Sequence, residues 1–270
     1  MVAVLEALRV LRQGNERWQH WRSQQPDQRL DLTAVDLRGE RLHGVDLRWV
    51  ILNRSQLNYA DFTGADLRFA ELVDVSLQGA NLSDTDLSAA NLIGSDLREA
   101  NFSGANLSGA NLIGTQLGRS NLQRVDLGDV QLHRACLVEA NLMDANLAGA
   151  GLIGATLNQV EAHAAHAYRA DFRQARLVRS HFVKAYLFGA NFGGADLAGT
   201  DLAWANLTKV NFAGARLIGV NLRGAKLSGA NLTGADLRGA CLRGVQLSDA
   251  QRRSLRLIDS EALGDRQRFC

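Results

Sequence analysis

Three histidines and a glutamate are the residues most suggestive of chemistry. His163 and His166 are near neighbours, and His181 follows Glu161 by twenty residues. Imidazole and carboxylate groups gathered in this way could hold zinc. His20, His43 and His133 stand apart from them. Asp46, Asp66 and Asp86 recur at intervals of twenty, and Asn106 and Asp126 continue the series. An asparagine cannot serve as acid or base. These positions are therefore expected to bond backbone N–H groups rather than to move protons. Cys136, Cys241 and Cys270 lack the spacing of a metal site and suit a reducing compartment, with Cys270 a free thiol. No GxGxxG follows a strand, and neither a phosphate-binding loop nor HExxH occurs. The expectation is a chain with no catalytic residue, no metal and no cofactor, its histidines polar surface residues.

The element that must position these residues has a period of five. Taking residues 32, 37, 42 and every fifth position to 247 as centres gives 44 units. Leu or Phe fills 42 of them, and Ala162 and Ala167 are the exceptions. Two residues before the centre stands Ala, Val, Ser or Thr in 42 units, with Leu30 and Glu40 as exceptions. Asp or Asn precedes 25 centres, and Gly lies two after 20 of them. A helix would smear these leucines round its circumference, and a strand would alternate them between faces. The pattern needs one large and one small side chain pointing inward every five residues. A right-angled turn between short segments does this, and four segments close a square coil of twenty residues. Chemistry would need a concave pocket, and a filled square rod without insertions offers none.

The units ANLSGANLIG, ADFTG and ANLTGADLRG resemble the pentapeptide repeat family, whose motif is A(D/N)LXX. The resemblance covers residues 30–250. It implies an all-β solenoid, a right-handed quadrilateral β-helix of about 11 coils and about 50 Å at one strand spacing per coil. One branch of that family mimics DNA, binds gyrase and confers resistance to quinolones or peptide toxins, and its C-terminal region dimerises.

A solenoid needs caps at its ends. Residues 3–12 read as a helix with Leu5, Leu8 and Leu11 on one face. Gly14 separates them from a second helix carrying Trp18 and Trp21, which Pro26 ends. The expected division is an N-terminal helical cap at 1–27, a repeat β-helix at 28–250 and a C-terminal cap or tail at 251–270. In that tail Leu255, Leu257 and Ile258 could pack on the last coil or serve a dimer. Adding twenty predicts a Phe ladder at Phe172, Phe192 and Phe212. The coil holding Ala162 and Ala167 is a weak point unless Phe172 and Phe182 swing over to fill it.

The surface carries the functional signal. Lys and Arg number 30 against 28 Asp and Glu. This balance argues against a general nucleic-acid binder or a polybasic membrane anchor. The repeat holds 22 acids and 21 bases, which suits a DNA mimic poorly. Residues 28–160 have 16 acids and 10 bases, and residues 161–250 have 6 and 11, so the rod is a dipole. Trp49 and Phe69 are expected to stack outward, as are Tyr168 and Phe188. Val73, Ile93 and Ile113 form an outward aliphatic column. Together with Asp74, Asp84 and Glu99 they are the candidate partner-binding residues. The function expected is a non-catalytic protein–protein interaction module or scaffold with an unidentified protein partner. Gyrase binding is the alternative. No small-molecule substrate and no membrane partner are expected, and the state is a monomer or dimer. No run of 18 apolar residues occurs, and the start of the chain does not read as a signal peptide, so a cytoplasmic location is expected.

Overall fold

The computed structural model describes residues 2–24 and 29–256. Two helices, α1 (Val2–Arg12) and α2 (Asn15–Ser23), precede a right-handed quadrilateral β-helix, and α3 (Asp249–Arg256) follows it. Expectations resting on Pro26, Leu257, Ile258 and Cys270, and on the side chain of Leu255, lie outside the described residues.

The coil period is twenty, as the spacing demands. Parallel bridges join each residue before a centre to its counterpart twenty on, from Asp31↔Ile51 to Asn221↔Cys241, at every fifth position and without a skipped unit. Four faces result. Face 1 contains residues 51, 71 and 91, face 2 residues 56, 76 and 96, face 3 residues 61, 81 and 101, and face 4 residues 66, 86 and 106. Each centre from Leu32 to Leu222 donates its N–H to the next coil, as Leu112 does to Gln131 O at 2.7 Å. Each pre-centre residue from Ile51 to Cys241 donates to the previous coil, as Gln116 does to Ser95 O at 3.0 Å.

The corner is made by a turn. The residue three after a centre donates to that centre's carbonyl, as Ala110 does to Leu107 O at 3.0 Å. The residue two after the centre takes a positive φ at every unit from Ala34 to Gly244. Glycine tolerates this region without cost and explains its abundance there. Non-glycine residues nevertheless hold the same conformation in more than half of the turns. The unit centred on Leu247 does not complete its turn, because α3 begins at Asp249.

Asp and Asn before the centre accept the N–H two residues on, as Asp126 does from Gly128 at 3.0 Å and Asn146 from Ala148 at 3.1 Å. At three of the units that lack them, an asparagine one coil earlier substitutes. Glu71, Ser76 and Arg176 are such places. There Val73, Gln78 and Val178 donate to Oδ1 of Asn53, Asn58 and Asn158. At these three units the same donor is satisfied from the previous coil instead.

One continuous core runs from Ala7 to Leu237. Phe172, Phe192 and Phe212 stack in a ladder with centroids 4.6 and 5.3 Å apart. Phe172 meets Phe182 edge to face at 6.3 Å across the coil that contains Ala162 and Ala167. Both alanines are fully buried.

The N-terminal helices do more than cover leucines. In the first coil, backbone carbonyls have no earlier coil to accept from. Trp18 Nε1 donates to Asp46 O at 2.8 Å, Arg22 to Arg48 O at 2.8 Å, Arg12 to Asp36 O at 2.9 Å and Gln19 to Gly44 O at 3.1 Å. Ala7, Leu11 and Trp18 are buried, and Trp18 stacks with Trp21. The expected Leu5–Leu8–Leu11 stripe is corrected: Leu5 is 63% exposed. At 100° per residue it lies well round the helix from Leu11, whereas Ala7 sits one turn below Leu11. At the other end Gln251 donates to Leu227 O at 2.8 Å and Ala230 O at 3.0 Å, replacing part of the coil that would come next.

Candidate binding surface

Trp49 and Phe69 occupy successive positive-φ turn positions on face 4. Their rings stack with centroids 4.2 Å apart and planes 8° from parallel, and they remain 51% and 42% exposed. Exposed, pre-ordered aromatics lose little freedom when a partner covers them. Beside them, along face 4, runs a ladder of charges. Arg48 forks onto Asp46, with its Nη2 at 2.7 Å, and lies 3.5 Å from Asp66. Arg68 forks onto Asp66 at 2.6 Å and lies 3.8 Å from Asp86.

The local cause is a D-x-R triplet. With Asp before the centre and Arg after it, the Asp Oδ1 accepts both the Arg backbone N–H and its guanidinium. The same arrangement recurs at Asp36–Arg38, Asp96–Arg98, Asp171–Arg173 and Asp236–Arg238. The Arg98 side chain and backbone hold Asp96 below the ordinary carboxylate range, and Arg238 does the same for Asp236. Burial pushes Asp46 and Asp171 up, but the side-chain and backbone bonds of Arg48 and Arg173 outweigh it and both are lowered. Asp36, bonded by Arg38, is lowered to about 2. This triplet was visible in the sequence. Counting charges along the chain missed it, because the pairing needs the turn that brings residues two apart side by side.

Val73, Ile93 and Ile113 stand one above another on face 1, half-buried, round the corner from Phe69. Asp74 shares that face. Asp84 follows Asp74 by ten residues, half a coil, and so lies on the opposite side of the rod. Glu99 lies on face 2. The structure therefore brings the aromatics, the aliphatic column and Asp74 together, and separates Asp84 and Glu99 from them. Tyr59 and Trp204 are two further exposed aromatics that the sequence reading did not single out. Each lies over a glycine one coil on, Gly79 and Gly224, where an added Cβ would meet the ring.

His181 Nδ1 lies 2.8 Å from Glu161 Oε1, and His166 is tilted beside Tyr186. Among the described residues no three His, Cys, Asp or Glu side chains are grouped to hold a metal ion. Cys136 is a free thiol. Among the described residues, no helix is long and apolar enough to cross a membrane.

A family model for pentapeptide repeats matches in eight copies that together run from residue 31 to residue 250, with short gaps. The chain belongs to the pentapeptide repeat family. HetL, a pentapeptide repeat protein involved in heterocyst differentiation regulation in the cyanobacterium Nostoc, is 31% identical over 83% of this chain and 95% of its own, with a TM-score of 0.36. A pentapeptide repeat protein of the Arabidopsis thaliana thylakoid lumen is 34% identical over 41% of this chain and 73% of its own, with a TM-score of 0.29. QnrB1, a plasmid-mediated fluoroquinolone resistance protein, is 18% identical over 84% of this chain and 99% of its own, with a TM-score of 0.30. No curated protein matches the chain significantly.

Proposed function

We propose that this pentapeptide repeat protein is a non-catalytic protein–protein interaction module that engages its partner through the corner between faces 4 and 1. The observation that carries this reading is the Trp49–Phe69 stack, ordered and about half exposed beside the Asp46–Arg48–Asp66–Arg68 ladder. Trp and Arg dominate binding energy at protein interfaces, and the near-neutral ladder costs little to desolvate compared with an unpaired charge. Val73, Ile93 and Ile113 extend the apolar surface round the corner.

The test compares two variants against captured partners and against purified gyrase. Trp49→Ala with Phe69→Ala is expected to lose a cellular protein partner, with affinity reduced at least about thirtyfold, as expected for a hot-spot pair. Reversal of Asp74, Asp84 and Glu99 to Lys is expected to change chiefly the association rate, because only Asp74 is near the stack. Neither variant nor the parent is expected to alter gyrase supercoiling or its inhibition by quinolones. Protection of gyrase by the parent, kept by the aromatic variant and abolished by the charge reversal, would move the protein to the gyrase-binding class.

A further inference from the structure

Face 4 changes character half-way along the rod. Over residues 46–129 it carries Asp46, Asp66, Asp86, Asp126 and Asp129. From residue 166 to residue 229 it carries no acid. Instead three aromatic rings gather there. Tyr168 stacks with Phe188 in the next coil, with centroids 5.8 Å apart and planes 19° from parallel. Tyr186 lies 6.4 Å from Phe188 and 6.5 Å from Tyr168, again near parallel. Both tyrosines are exposed. The Arg169 guanidinium stands over Tyr168 at 5.1 Å, and Lys209 Nζ over Phe188 at 5.6 Å. Lys184 closes the neighbouring corner, two residues before Tyr186. None of these three cations has an acidic partner among the described residues.

We propose that this cluster is a second docking surface, for an acid-rich polypeptide segment of a protein partner. Charge selects the sign: positive groups left without counter-charges, along a stretch of face 4 that carries no acid, attract carboxylates and repel basic segments. The rings select the class. Nucleobases bind single-strand platforms by stacking on free aromatic faces. Here Tyr168 and Phe188 stack with each other, and each has a cation over its ring, so a base would have to displace an existing contact. What the cluster offers is apolar ring surface, the tyrosine hydroxyl groups and cations held in place by cation–π attraction. That set fits a polypeptide segment that presents acidic and apolar side chains on one side.

The surface is separate from the Trp49–Phe69 corner, and the test keeps the two apart. Fluorescence anisotropy would follow three labelled probes: a peptide of repeated Glu-Glu-Val-Val, its Lys-Lys-Val-Val counterpart of equal length, and an oligothymidylate of equal length. The parent protein is expected to bind the glutamate peptide in preference to both others. Arg169→Gln with Lys209→Gln should weaken it at least about tenfold, as loss of a charge-steered contact does. Tyr168→Ala with Tyr186→Ala should weaken it as well, with circular dichroism confirming the fold. Trp49→Ala with Phe69→Ala should leave it unchanged. Tighter binding of the oligothymidylate, absence of glutamate-peptide binding, or equal weakening by the Trp49 and Phe69 variant would each overturn the proposal.

Discussion

At the scale of single residues, the pre-centre aspartate has two roles that can be separated. Its Oδ1 accepts a backbone N–H, and in the D-x-R triplets both oxygens meet a guanidinium. For Asp96 these are Arg98 N at 3.2 Å and Arg98 Nη2 at 2.6 Å. Asparagine keeps the first role and loses the second. Exposed ion pairs contribute about 0–1 kcal/mol, whereas losing a backbone-satisfying acceptor adds about 1 kcal/mol more. Asp96→Asn is therefore expected to be nearly silent in denaturant unfolding, and Asp96→Ala to be clearly destabilising. Equal losses for Asn and Ala would show that the charge is what matters. The same pairs set the acid limit. A carboxylate whose folded pKa is depressed contributes stability that is present above its unfolded value, about 3.9, and is lost as pH falls through the folded value. The lowered values of Asp36, Asp46, Asp96, Asp171 and Asp236 place this loss below about pH 4 and, for Asp36, extend it to about 2. Stability from these groups should be flat between neutrality and the upper edge of that window.

At the scale of elements, the caps work by supplying hydrogen-bond donors as much as by covering leucines. Deleting residues 1–24 removes Leu11 and Trp18 from the end of the core together with the donors from Arg12, Trp18, Gln19 and Arg22. The first coil then presents bare leucines and unpaired carbonyls, which is the condition for edge-to-edge pairing. Light scattering should show end-to-end association while circular dichroism keeps the repeat signal, because each coil depends mainly on its neighbours. A truncated chain as monodisperse as the parent would remove the capping role. These elements also show where the sequence was legible. A five-residue register with 42 large apolar centres determines the coil, and adding twenty correctly placed the Trp49–Phe69 stack and the Phe172–Phe212 ladder. Adding ten would have placed Asp84 opposite Asp74, yet charges were counted along the chain rather than around the coil. The cap donors were not legible, because the reach of an Arg or Gln side chain to a particular carbonyl depends on how α1 and α2 lie on the coil. No periodicity encodes that.

At the scale of the whole molecule, the question is whether the rod has a weak waist. Ala162 and Ala167 in place of leucines remove six carbon atoms from their coil, and Phe172, Phe182 and Phe192 in place of leucines return nine to that coil and the next. The edge-to-face contact of Phe172 with Phe182 puts this volume in the middle of the rod, where both alanines are fully buried. The backbone ladder is intact across them: Ala162 donates to His181 O at 2.7 Å and Ala167 to Tyr186 O at 2.8 Å. A solenoid exchanges its amides by opening from an end or at a coil whose interfaces are poor. With the volume restored, the coil at Ala162 is not such a place. Amide exchange at Ala162 and Ala167 should match that at Leu112 and Leu117, with protection falling only toward the two ends. Ala162→Leu should overfill the site and destabilise the rod by about 1–3 kcal/mol, whereas Leu112→Ala should cost about 2–5 kcal/mol by leaving a cavity. Stabilisation by Ala162→Leu, together with faster exchange at Ala162 in the parent, would mean that the phenylalanines leave room. The rod would then unfold as two arms, separating the Trp49 corner from the Tyr168 cluster.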